Sequence, residues 1–405
     1  MLIEHLQQQQ RKREAAGLAR SRVVAHSACL PHQAFAARDQ GPRELLSFCS
    51  NDYLGLASHP DITKALIEGA RVYGVGSGAS HLVSGHSRAH EELEQALSAL
   101  YAPFIPGCRA LVFSSGYMAN LAVLTALGDG QACTLSDKLN HACLVDGVLL
   151  AKAPHKRYVH ADMDMLADLL AQSDSPIKLI VSDAVFSMDG DLAPLEQLLS
   201  LAQRYDAFIV LDDAHGFGVL GARGEGSLSH AELSSERFIL MGTLGKAAGV
   251  AGAFVAAHPA VIEHLLQTGR SYVYTTASPP ALAHASQRSI QIISSEEGAT
   301  LRGRLAVRIA QFREGVARLL THPKRNGATQ LLPSFTAIQA IVLHDNARVL
   351  AASKALEALG MKVVAIRPPT VPQGTARLRV SLSAAHTEAD VDALIAALAS
   401  VLAEV

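Results

Sequence analysis

The chain has 405 residues, of which 49% are hydrophobic and 18% carry a charge, a composition typical of a folded globular protein and not of a disordered one. Its length predicts one large domain and a smaller one. The net charge of −2 offers no basic field for a nucleic acid or an anionic membrane surface, so we expect neither as a partner.

The N-terminal residues 1–20, MLIEHLQQQQRKREAAGLAR, lack the apolar core of a signal peptide and contain two glutamates but no serine, unlike a transit peptide. They predict a polar helix lying on the body of the protein. No stretch reaches the roughly 18 apolar residues of a membrane span. The five cysteines are scattered and form no C-x-x-C pair, which predicts reduced thiols in a cytoplasmic protein, with no metal site and no disulfide framework.

Between about residues 60 and 260, short apolar runs alternate with segments of helical spacing. The runs predicted as strands are RALVFSSG (109–116), ACTLSD (132–137), IKLIVSDAVF (177–186), AFIVLDDAH (207–215) and RFILMGTLGK (237–246). Most are apolar on both faces, as strands of a parallel sheet covered by helices should be. Ligands of such sheets bind beyond the carboxyl ends of the strands, where most of the notable polar residues fall.

After residue 285 a long helical stretch to about 322 leads into short strands and a final helix (388–403), which predicts a small α+β unit. We therefore expect an N-terminal helical segment (1–47), a large α/β domain with a mostly parallel central sheet and helices on both faces (48–285), and a smaller C-terminal α+β domain (286–405).

Two glycine patterns imitate a dinucleotide-binding motif. GVGSGA (74–79) follows a predicted helix where the motif requires a strand. GFGVLG (216–221) follows a strand, but the glycine-rich residues after it cannot begin the required helix. A nucleotide-dependent oxidoreductase is therefore an unfavoured alternative.

A single lysine stands out because Lys246 is the only Asp, Glu, Lys or Arg between Phe238 and Ile262. It follows an apolar run and is surrounded by Gly, Ala and Val. Burying an ammonium disfavours its charged form unless the group is paired. A lysine that extends its head into water is the ordinary alternative, so the neighbouring motifs must decide.

The sequence Asp212-Asp213-Ala214-His215 ends the strand before the one that precedes Lys246. Pyridoxal phosphate needs a lysine for its aldehyde and a carboxylate that keeps its ring nitrogen protonated. Asp212 could meet that nitrogen, His215 the ring hydroxyl and Thr243 the phosphate. Ser115, Gly116 and Tyr117 stand at a predicted helix N-terminus, whose amides suit a phosphate. Helix capping by Asp212 and His215 is the alternative.

The chain resembles the α-oxoamine synthases, a branch of the fold-type I pyridoxal-phosphate enzymes. The motifs that carry the resemblance occur in the family's order from about Arg20 to the C-terminus: FCSNDYLGLASHP (48–60), GVGSGASHLVSGHSRAHEELE (74–94), FSSGYMAN (113–120), VFSMDGDLAPL (185–195), LDDAHGFGVLG (211–221), GTLGKAAGVAG (242–252) and IRPPTVPQGTARLRVSL (366–382).

The resemblance implies a role for each matching residue. Lys246 matches the Schiff-base lysine, Asp212 the ring-nitrogen carboxylate, His215 the hydroxyl partner and His141 the histidine that stacks on the ring. Further cofactor contacts are implied for Ser115, Gly116, Tyr117, Ser187 and Thr243, and, across a homodimer interface, for Thr275 and Thr276. Substrate-side positions match Arg20, Asn51, His141, Arg367 and Thr370, with Arg367 binding the amino-acid carboxylate. His81 and His86 depart from the usual pattern.

Within the family, the chain is most similar to the enzymes of biotin biosynthesis that condense L-alanine with a pimeloyl thioester, on CoA or on an acyl carrier protein, with loss of carbon dioxide. A sibling synthase that uses glycine or serine with another acyl-CoA is the nearest alternative. A non-catalytic family subunit would be expected to lack Lys246, which is present.

Overall fold

Apolar runs and amphipathic segments become strands and helices over most of the chain. The computed structural model describes residues 1–20, 22–36, 41–321 and 329–404. Its helices are α1 Leu2–Ala15, α2 Pro60–Tyr73, α3 Arg88–Tyr101, α4 Gly116–Leu127, α5 Ala142–Leu150, α6 Met163–Ala171, α7 Leu195–Arg204, α8 Ser227–His230, α9 Pro259–Thr268, α10 Arg270–Val273, α11 Pro280–Ile293, α12 Glu296–Leu320, α13 Asn346–Ala358 and α14 Glu388–Glu404.

The strands of the same residues are β1 Val24–Ala25, β2 His32–Ala36, β3 Arg43–Ser47, β4 Arg109–Phe113, β5 Ala132–Asp137, β6 His155–Tyr158, β7 Ile177–Asp183, β8 Ala207–Asp212, β9 Phe238–Thr243, β10 Ala253–Ala257, β11 Gln330–Leu331, β12 Ile338–His344, β13 Met361–Lys362, β14 Val364–Ile366 and β15 Ala376–Ser381. Within the described ranges we find no helix whose length and apolar character would let it traverse a bilayer.

A seven-stranded sheet in the order β4-β10-β9-β8-β7-β5-β6 forms the centre of the unit from Asn51 to Arg304. The run from β9 to β6 is parallel, whereas β10 is antiparallel to both of its neighbours. Every residue of β5 and β9 is buried. Since successive side chains of a strand point to opposite faces, both faces of the sheet are covered, as the apolar runs predicted.

The core on one side of the sheet forms where α4 meets the strands. Val123 and Leu124 of the helix join Val210 and Ile239 of β8 and β9 in one hydrophobic cluster. Burying such side chains stabilises the fold by roughly 1.5–3 kcal/mol each. This packing fixes the start of α4 close to the ends of the parallel strands.

The second compact unit combines Met1–Ser50 with Leu305–Val405. Its sheets have the orders β1-β2-β3-β13 and β11-β12-β15-β14. The first of these corrects the expected helical segment at 1–47, where the structure describes the strands β1, β2 and β3 as well as α1. The physical reason is that β3 pairs in parallel with β13, and Leu46 N–H donates to Gly360 O at 2.8 Å.

The unit boundaries therefore fall at 50/51 and, inside α12, at 304/305, whereas the sequence suggested 47/48 and 285/286. The expected long helix before residue 322 is two helices, α11 and α12, separated at Ser294 and Ser295.

Neither glycine pattern forms a dinucleotide site. GVGSGA comes directly after α2, and no helix begins within the described residues 216–221. Gly218 and Gly221 have φ of +82° and +83° in a series of turns. The structure confirms the predicted helix before GVGSGA and, among the described residues, the expectation that no helix begins in GFGVLG.

Candidate active site

A cavity of about 180 Å³ opens where β7, β8 and β9 end in the unit from Asn51 to Arg304. It is lined by Gly116, Tyr117, His141, Cys143, Asp183, Asp212, Ala214, His215, Met241, Thr243 and Lys246. Seven of these were predicted as site residues from the sequence. Their meeting follows from the parallel sheet, because the carboxyl ends of neighbouring strands lie side by side.

Lys246 lies in a turn just after β9. Its backbone carbonyl accepts a hydrogen bond from Gly249 N–H at 2.8 Å, and Val250 N–H donates to Leu244 O at 2.9 Å. The half-buried side chain lines the cavity, with Nζ 2.9 Å from Nε2 of His215. The ordinary alternative of a lysine that extends into bulk water does not describe this geometry.

Asp212 is 3% exposed, and its carboxylate accepts hydrogen bonds from a side-chain amide and a backbone N–H. Asn120 Nδ2, from α4, donates to Oδ2 at 2.7 Å, and Ala214 N–H donates to Oδ1 at 3.0 Å. Two donors offset part of the cost of burying a carboxylate. Asp212 is therefore held in one orientation at the floor of the cavity.

Asp183 is a second buried carboxyl beside Asp212. Its Oδ2 accepts from His141 N–H at 2.6 Å. Burial, and then the negative charge of Asp212, raise the pKa of Asp183 well above its ordinary value. Two neighbouring carboxyls rarely ionise together, so Asp183 takes the neutral form.

The ring of His141 is oriented by the start of α5. Its Nδ1 accepts from Cys143 N–H at 3.3 Å and lies 2.8 Å from Cys143 Sγ. Burial lowers the pKa of His141, against the opposing charge of Asp212. The neutral ring, with Nδ1 as acceptor, carries its proton on Nε2.

The first turn of α4 presents backbone amides at one end of the cavity. Ser115 caps this helix, with Oγ accepting from Met118 N–H at 3.3 Å, and Gly116 and Tyr117 line the cavity. Free amides at a helix N-terminus bind anions such as phosphate.

Comparisons with known proteins agree on one family. The family model for aminotransferase class I and II matches residues 43–398. The 8-amino-7-oxononanoate synthases of Leptothrix cholodnii and Bordetella petrii are 58% and 54% identical, over 100% and 98% of this chain and 100% and 97% of theirs. The chain belongs to the 8-amino-7-oxononanoate synthases.

Solved structures agree with this assignment. A structure of 8-amino-7-oxononanoate synthase from Francisella tularensis matches with a TM-score of 0.74 and 28% identity, covering 89% of this chain and 97% of that one. Serine palmitoyltransferase from Sphingomonas wittichii matches with a TM-score of 0.87 and 26% identity, over 98% and 96% of the two chains. The fold is that of the fold-type I pyridoxal-phosphate transferases.

The donor set of the cavity fits pyridoxal phosphate. It brings together a lysine amine, a buried carboxylate, an imidazole and a helix N-terminus. The lack of a side chain at Gly116 leaves space beside Met241, because a Cβ at residue 116 would lie 3.3 Å from Met241 Cε. These are the groups that an aldehyde, a pyridine nitrogen, a ring hydroxyl and a phosphate require.

Two predicted phosphate contacts make other bonds in this structure. The hydroxyl of Thr243 donates to Gly252 O at 3.1 Å and accepts from Gly245 N–H at 3.3 Å, which fixes the turn before Lys246. The hydroxyl of Tyr117 donates to Asp146 Oδ2. Both residues nevertheless line the cavity.

Other predicted residues lie apart from the cavity lining. Ser187 is half-buried in the loop after β7, and Thr275 and Thr276 follow α10. Three more belong to the other unit and are described only there: Arg20 is exposed, Arg367 donates to Gly17 O, and Thr370 N–H donates to Arg367 O at 3.1 Å.

Some residues that line the cavity, or that contact its lining residues, were not assigned a role from the sequence. Asn120 lies one helical turn beyond Gly116, and Cys143 lies two residues after His141, so spacing alone could have suggested both. Tyr53 is different, because its hydroxyl contacts His215 Nδ1 at 2.6 Å from a segment 162 residues away. No local sequence pattern predicts a contact between residues so far apart in the chain.

The unusual histidines His81 and His86 form a cluster with His90. Nδ1 of His81 is 3.0 Å from Nδ1 of His86, and the ring of His81 stacks on Tyr272. Burial, and then the two neighbouring histidines, lower the pKa of His81 to about 3. His90 Nε2 donates to Ser278 O at 2.8 Å, and its Nδ1 accepts from Ser87 N–H at 3.1 Å. Both ring nitrogens of His90 are engaged, so the cluster is a packing feature.

Proposed function

We propose that the chain is an acyltransferase that condenses L-alanine with a pimeloyl thioester, using pyridoxal phosphate, in biotin biosynthesis. The products are 8-amino-7-oxononanoate, carbon dioxide and the carrier thiol. The observation that carries the proposal is the contact between Lys246 Nζ and His215 Nε2, at 2.9 Å, in a cavity that also contains the carboxylate of Asp212. The full-length identity of 54–58% to synthases of this name supports the choice of substrates.

When bound, the cofactor withdraws electrons from the amino acid's Cα, so that its bonds to hydrogen and to the carboxylate can break. Lys246 is the group placed to bind the cofactor's aldehyde and then to take the Cα proton at Nζ. With the cofactor bound, Asp212 would hold the proton on the ring nitrogen. His215 would contact the ring hydroxyl, and the neutral His141 would lie against the ring.

The overall change balances as follows. The Cα–H bond of alanine and the C–S bond of the thioester break, and a bond forms between Cα and the acyl carbon. The bond from Cα to the carboxylate then breaks, carbon dioxide leaves and a proton returns to Cα. The departing thiolate takes a second proton, which comes from water. Lys246 is the proton carrier at Cα in this scheme.

We assign the phosphate to Ser115, Gly116, Tyr117, Ser187 and Thr243. Amides at the start of α4 and hydroxyl groups are donors that suit an anion. Thr275 and Thr276 complete this set across the interface of a homodimer. We propose that the reaction takes place in the cytoplasm, where thiols are usually reduced.

The substrate carboxylate is assigned to Arg367, whose planar guanidinium can donate two parallel hydrogen bonds. Arg20, Asn51 and Thr370 are the other substrate-side residues, with His141 beside the amino acid's side chain. A methyl group is expected to fit there better than a larger side chain.

The test crosses amino acids with acyl donors. Alanine, glycine and serine are each paired with pimeloyl, succinyl, acetyl and palmitoyl thioesters, on CoA and for pimeloyl also on acyl carrier protein. Thiol and carbon dioxide are measured together. We expect equal release of both for alanine with pimeloyl and far less for other pairs. A preference for serine with palmitoyl, or for glycine with acetyl or succinyl, would contradict the proposed substrates. A purified chain with no visible absorption band from bound pyridoxal phosphate would contradict the cofactor.

A further inference from the structure

A line of hydrogen-bonded side chains reaches Lys246 from the segment that precedes α2. The hydroxyl of Tyr53 donates to Asn51 Oδ1 at 3.0 Å and lies 2.6 Å from His215 Nδ1. On the far side of that ring, Nε2 is 2.9 Å from Lys246 Nζ. Tyr53 is fully buried and His215 is 6% exposed, so exchange of these contacts with water is restricted.

The direction of each bond follows from the atoms involved. An amide oxygen only accepts, so Tyr53 gives its single hydroxyl proton to Asn51. The contact between Tyr53 and His215 then requires His215 Nδ1–H as the donor. A neutral imidazole protonated at Nδ1 has its lone pair on Nε2, the nitrogen that faces Nζ of Lys246.

The segment that carries Tyr53 is held rigidly. The carboxylate of Asp52 accepts from Leu56 N–H at 2.8 Å and from Ala57 N–H at 3.0 Å. The turn that carries Lys246 packs directly on this segment, because a Cβ at Gly249 would stand only 2.4 Å from Ala57 N. The distance between Tyr53 and Lys246 is therefore set by backbone packing.

We propose that Tyr53 is a positioning residue that fixes His215 in the tautomer with Nδ1 protonated, so that Nε2 acts as a hydrogen-bond acceptor in the cavity. The consequence for the cofactor rests on the proposed function, since Nε2 would then accept the proton of the ring hydroxyl. The tautomer itself is a property of the chain and is testable without any reaction.

The test measures imidazole nitrogen shifts by NMR in the full chain labelled with ¹⁵N-histidine, before and after addition of pyridoxal phosphate. The variant His215→Gln identifies the His215 signals. In the unmodified chain we expect the shift of a protonated Nδ1 and an unprotonated Nε2. In Tyr53→Phe, which lacks the acceptor for Nδ1–H, we expect a mixture in which protonated Nε2 rises to a third or more.

A second variant keeps the tyrosine hydroxyl. In Asn51→Leu the hydroxyl proton loses its acceptor and can turn to His215 Nδ1, so we expect the tautomer to reverse to protonated Nε2. The matched control is Tyr101→Phe, because Tyr101 is also fully buried in this unit and, among the described residues, its hydroxyl has no hydrogen-bond partner. We expect this variant to leave the His215 signals unchanged.

Protonated Nε2 in the unmodified chain would overturn the proposal, and so would an unchanged tautomer in both Tyr53→Phe and Asn51→Leu. Kinetics give a second measure, with kcat of Tyr53→Phe expected to fall at least fivefold while KM for the amino acid stays within twofold. A failure of the proposed function is recognised separately, since the chain would then show the expected tautomer but no condensation.

Discussion

At the scale of single residues, the two buried carboxyl groups of the cavity, Asp183 and Asp212, differ in their surroundings. Asp212 accepts hydrogen bonds from the side-chain amide of Asn120 and the backbone N–H of Ala214. Asp183 accepts a hydrogen bond from the backbone N–H of His141 and lies next to the charge of Asp212. Burial and the charge of Asp212 raise the pKa of Asp183, which favours the neutral form of the Asp183 carboxyl. One carboxylate can therefore hold a pyridinium proton without repulsion from its neighbour.

The variant Asp212→Asn tests that assignment. The asparagine amide has the same shape as the carboxylate, but it has no charge. Its NH₂ group would face one of the two donors, Asn120 or Ala214, that donate to a carboxylate oxygen in the unmodified chain. We expect exchange of the alanine Cα proton in heavy water to fall roughly 100-fold or more, the scale of a lost charge contribution to proton transfer. Binding of pyridoxal phosphate, followed by its visible absorption, should persist.

The control for this variant is Asp213→Asn, the same change at the next residue. Asp213 is fully buried and accepts from Ser227 N–H and Oγ, so its loss should lower the melting temperature but leave proton exchange within a few-fold. Normal Cα exchange in Asp212→Asn would remove the role given to Asp212.

The residues found from the sequence share one property. Asp212 ends its strand and His215 and Lys246 follow theirs, and the parallel order of those strands decides where their side chains meet. Tyr53 and Asn120 contact His215 and Asp212 from a loop and a helix, and only tertiary packing brings them there. Their polar contacts leave no periodic signal in the sequence.

At the scale of elements, the turn after β9 depends on close backbone contact with residues 56 and 57. Gly249 has φ of +69°, and a Cβ there would stand 2.4 Å from both Ala57 N and Leu56 C. Only glycine fits such a position without strain. The position of the turn that carries Lys246 therefore depends on a glycine at residue 249.

We therefore expect Gly249→Ala to destabilise the fold by more than about 2 kcal/mol, since the left-handed backbone alone costs roughly 1–2 kcal/mol. It should also weaken retention of pyridoxal phosphate, because the turn must move. The control is Gly245→Ala, where the nearest atom to a new Cβ is 3.7 Å away. Urea unfolding and cofactor titration measure both effects. Equal stability of the two variants would contradict the packing argument.

Helix α3 carries a glutamate whose protonation is linked to folding. Glu94 Oε1 accepts from Val112 N–H of β4 at 2.9 Å. Burial raises its pKa from 4.5 to about 8, with Glu91 adding to the rise and the Val112 amide and Arg109 opposing it. The folded state therefore favours the neutral carboxyl, and this contribution to stability is lost as the pH rises from about 4.5 to about 8.

The variant Glu94→Gln keeps an oxygen for Val112 but cannot ionise. We expect its free energy of unfolding, relative to the unmodified chain, to increase between pH 5 and pH 9 by on the order of 1–2 kcal/mol, after allowing for partial exposure of the side chain. The control Glu68→Gln changes an exposed residue of α2 and should stay within about 0.5 kcal/mol. A flat difference for Glu94→Gln would show that its carboxyl is ionised in the folded state.

The elements missed by sequence patterns have a common cause. Strand β6 is the polar segment HKRY at a sheet edge, and β10 is a short alanine-rich strand whose antiparallel direction no spacing reveals. Strand β3 finds its partner β13 more than 300 residues away. The apolar runs predict the five other strands of the large sheet, because burial on both faces gives such a strand a continuous apolar sequence.

At the scale of the whole molecule, exposed apolar side chains in the unit that contains the cavity suggest contact with a second chain. Tyr274 is 73% exposed directly before Thr275 and Thr276, and Val75 and Val83 are 85% and 79% exposed. Large exposed apolar side chains are common singly, but a homodimer would cover several of these and would explain why two hydroxyl residues lie outside the cavity lining of their own chain.

A mixed dimer tests whether the threonines serve the partner's site. Lys246→Ala should have no measurable turnover, because it lacks the amine to which we assign cofactor binding and transfer of the Cα proton. The double variant Thr275→Ala/Thr276→Ala should retain pyridoxal phosphate more weakly, since two phosphate donors are lost. One chain of each kind gives a dimer in which one site pairs an intact Lys246 with intact threonines from the other chain.

We therefore expect turnover to appear when the two variants are co-expressed and the heterodimer is isolated with two different affinity tags. Assayed at a cofactor concentration that leaves the threonine variant mostly unloaded, the heterodimer should approach half the activity of the unmodified dimer, from its one complete site. If the threonines served their own chain instead, the only site with Lys246 would lack them, and the heterodimer would be no more active per lysine than the threonine variant alone. Gel filtration with light scattering establishes the dimer beforehand, and a monomer would exclude the shared site outright.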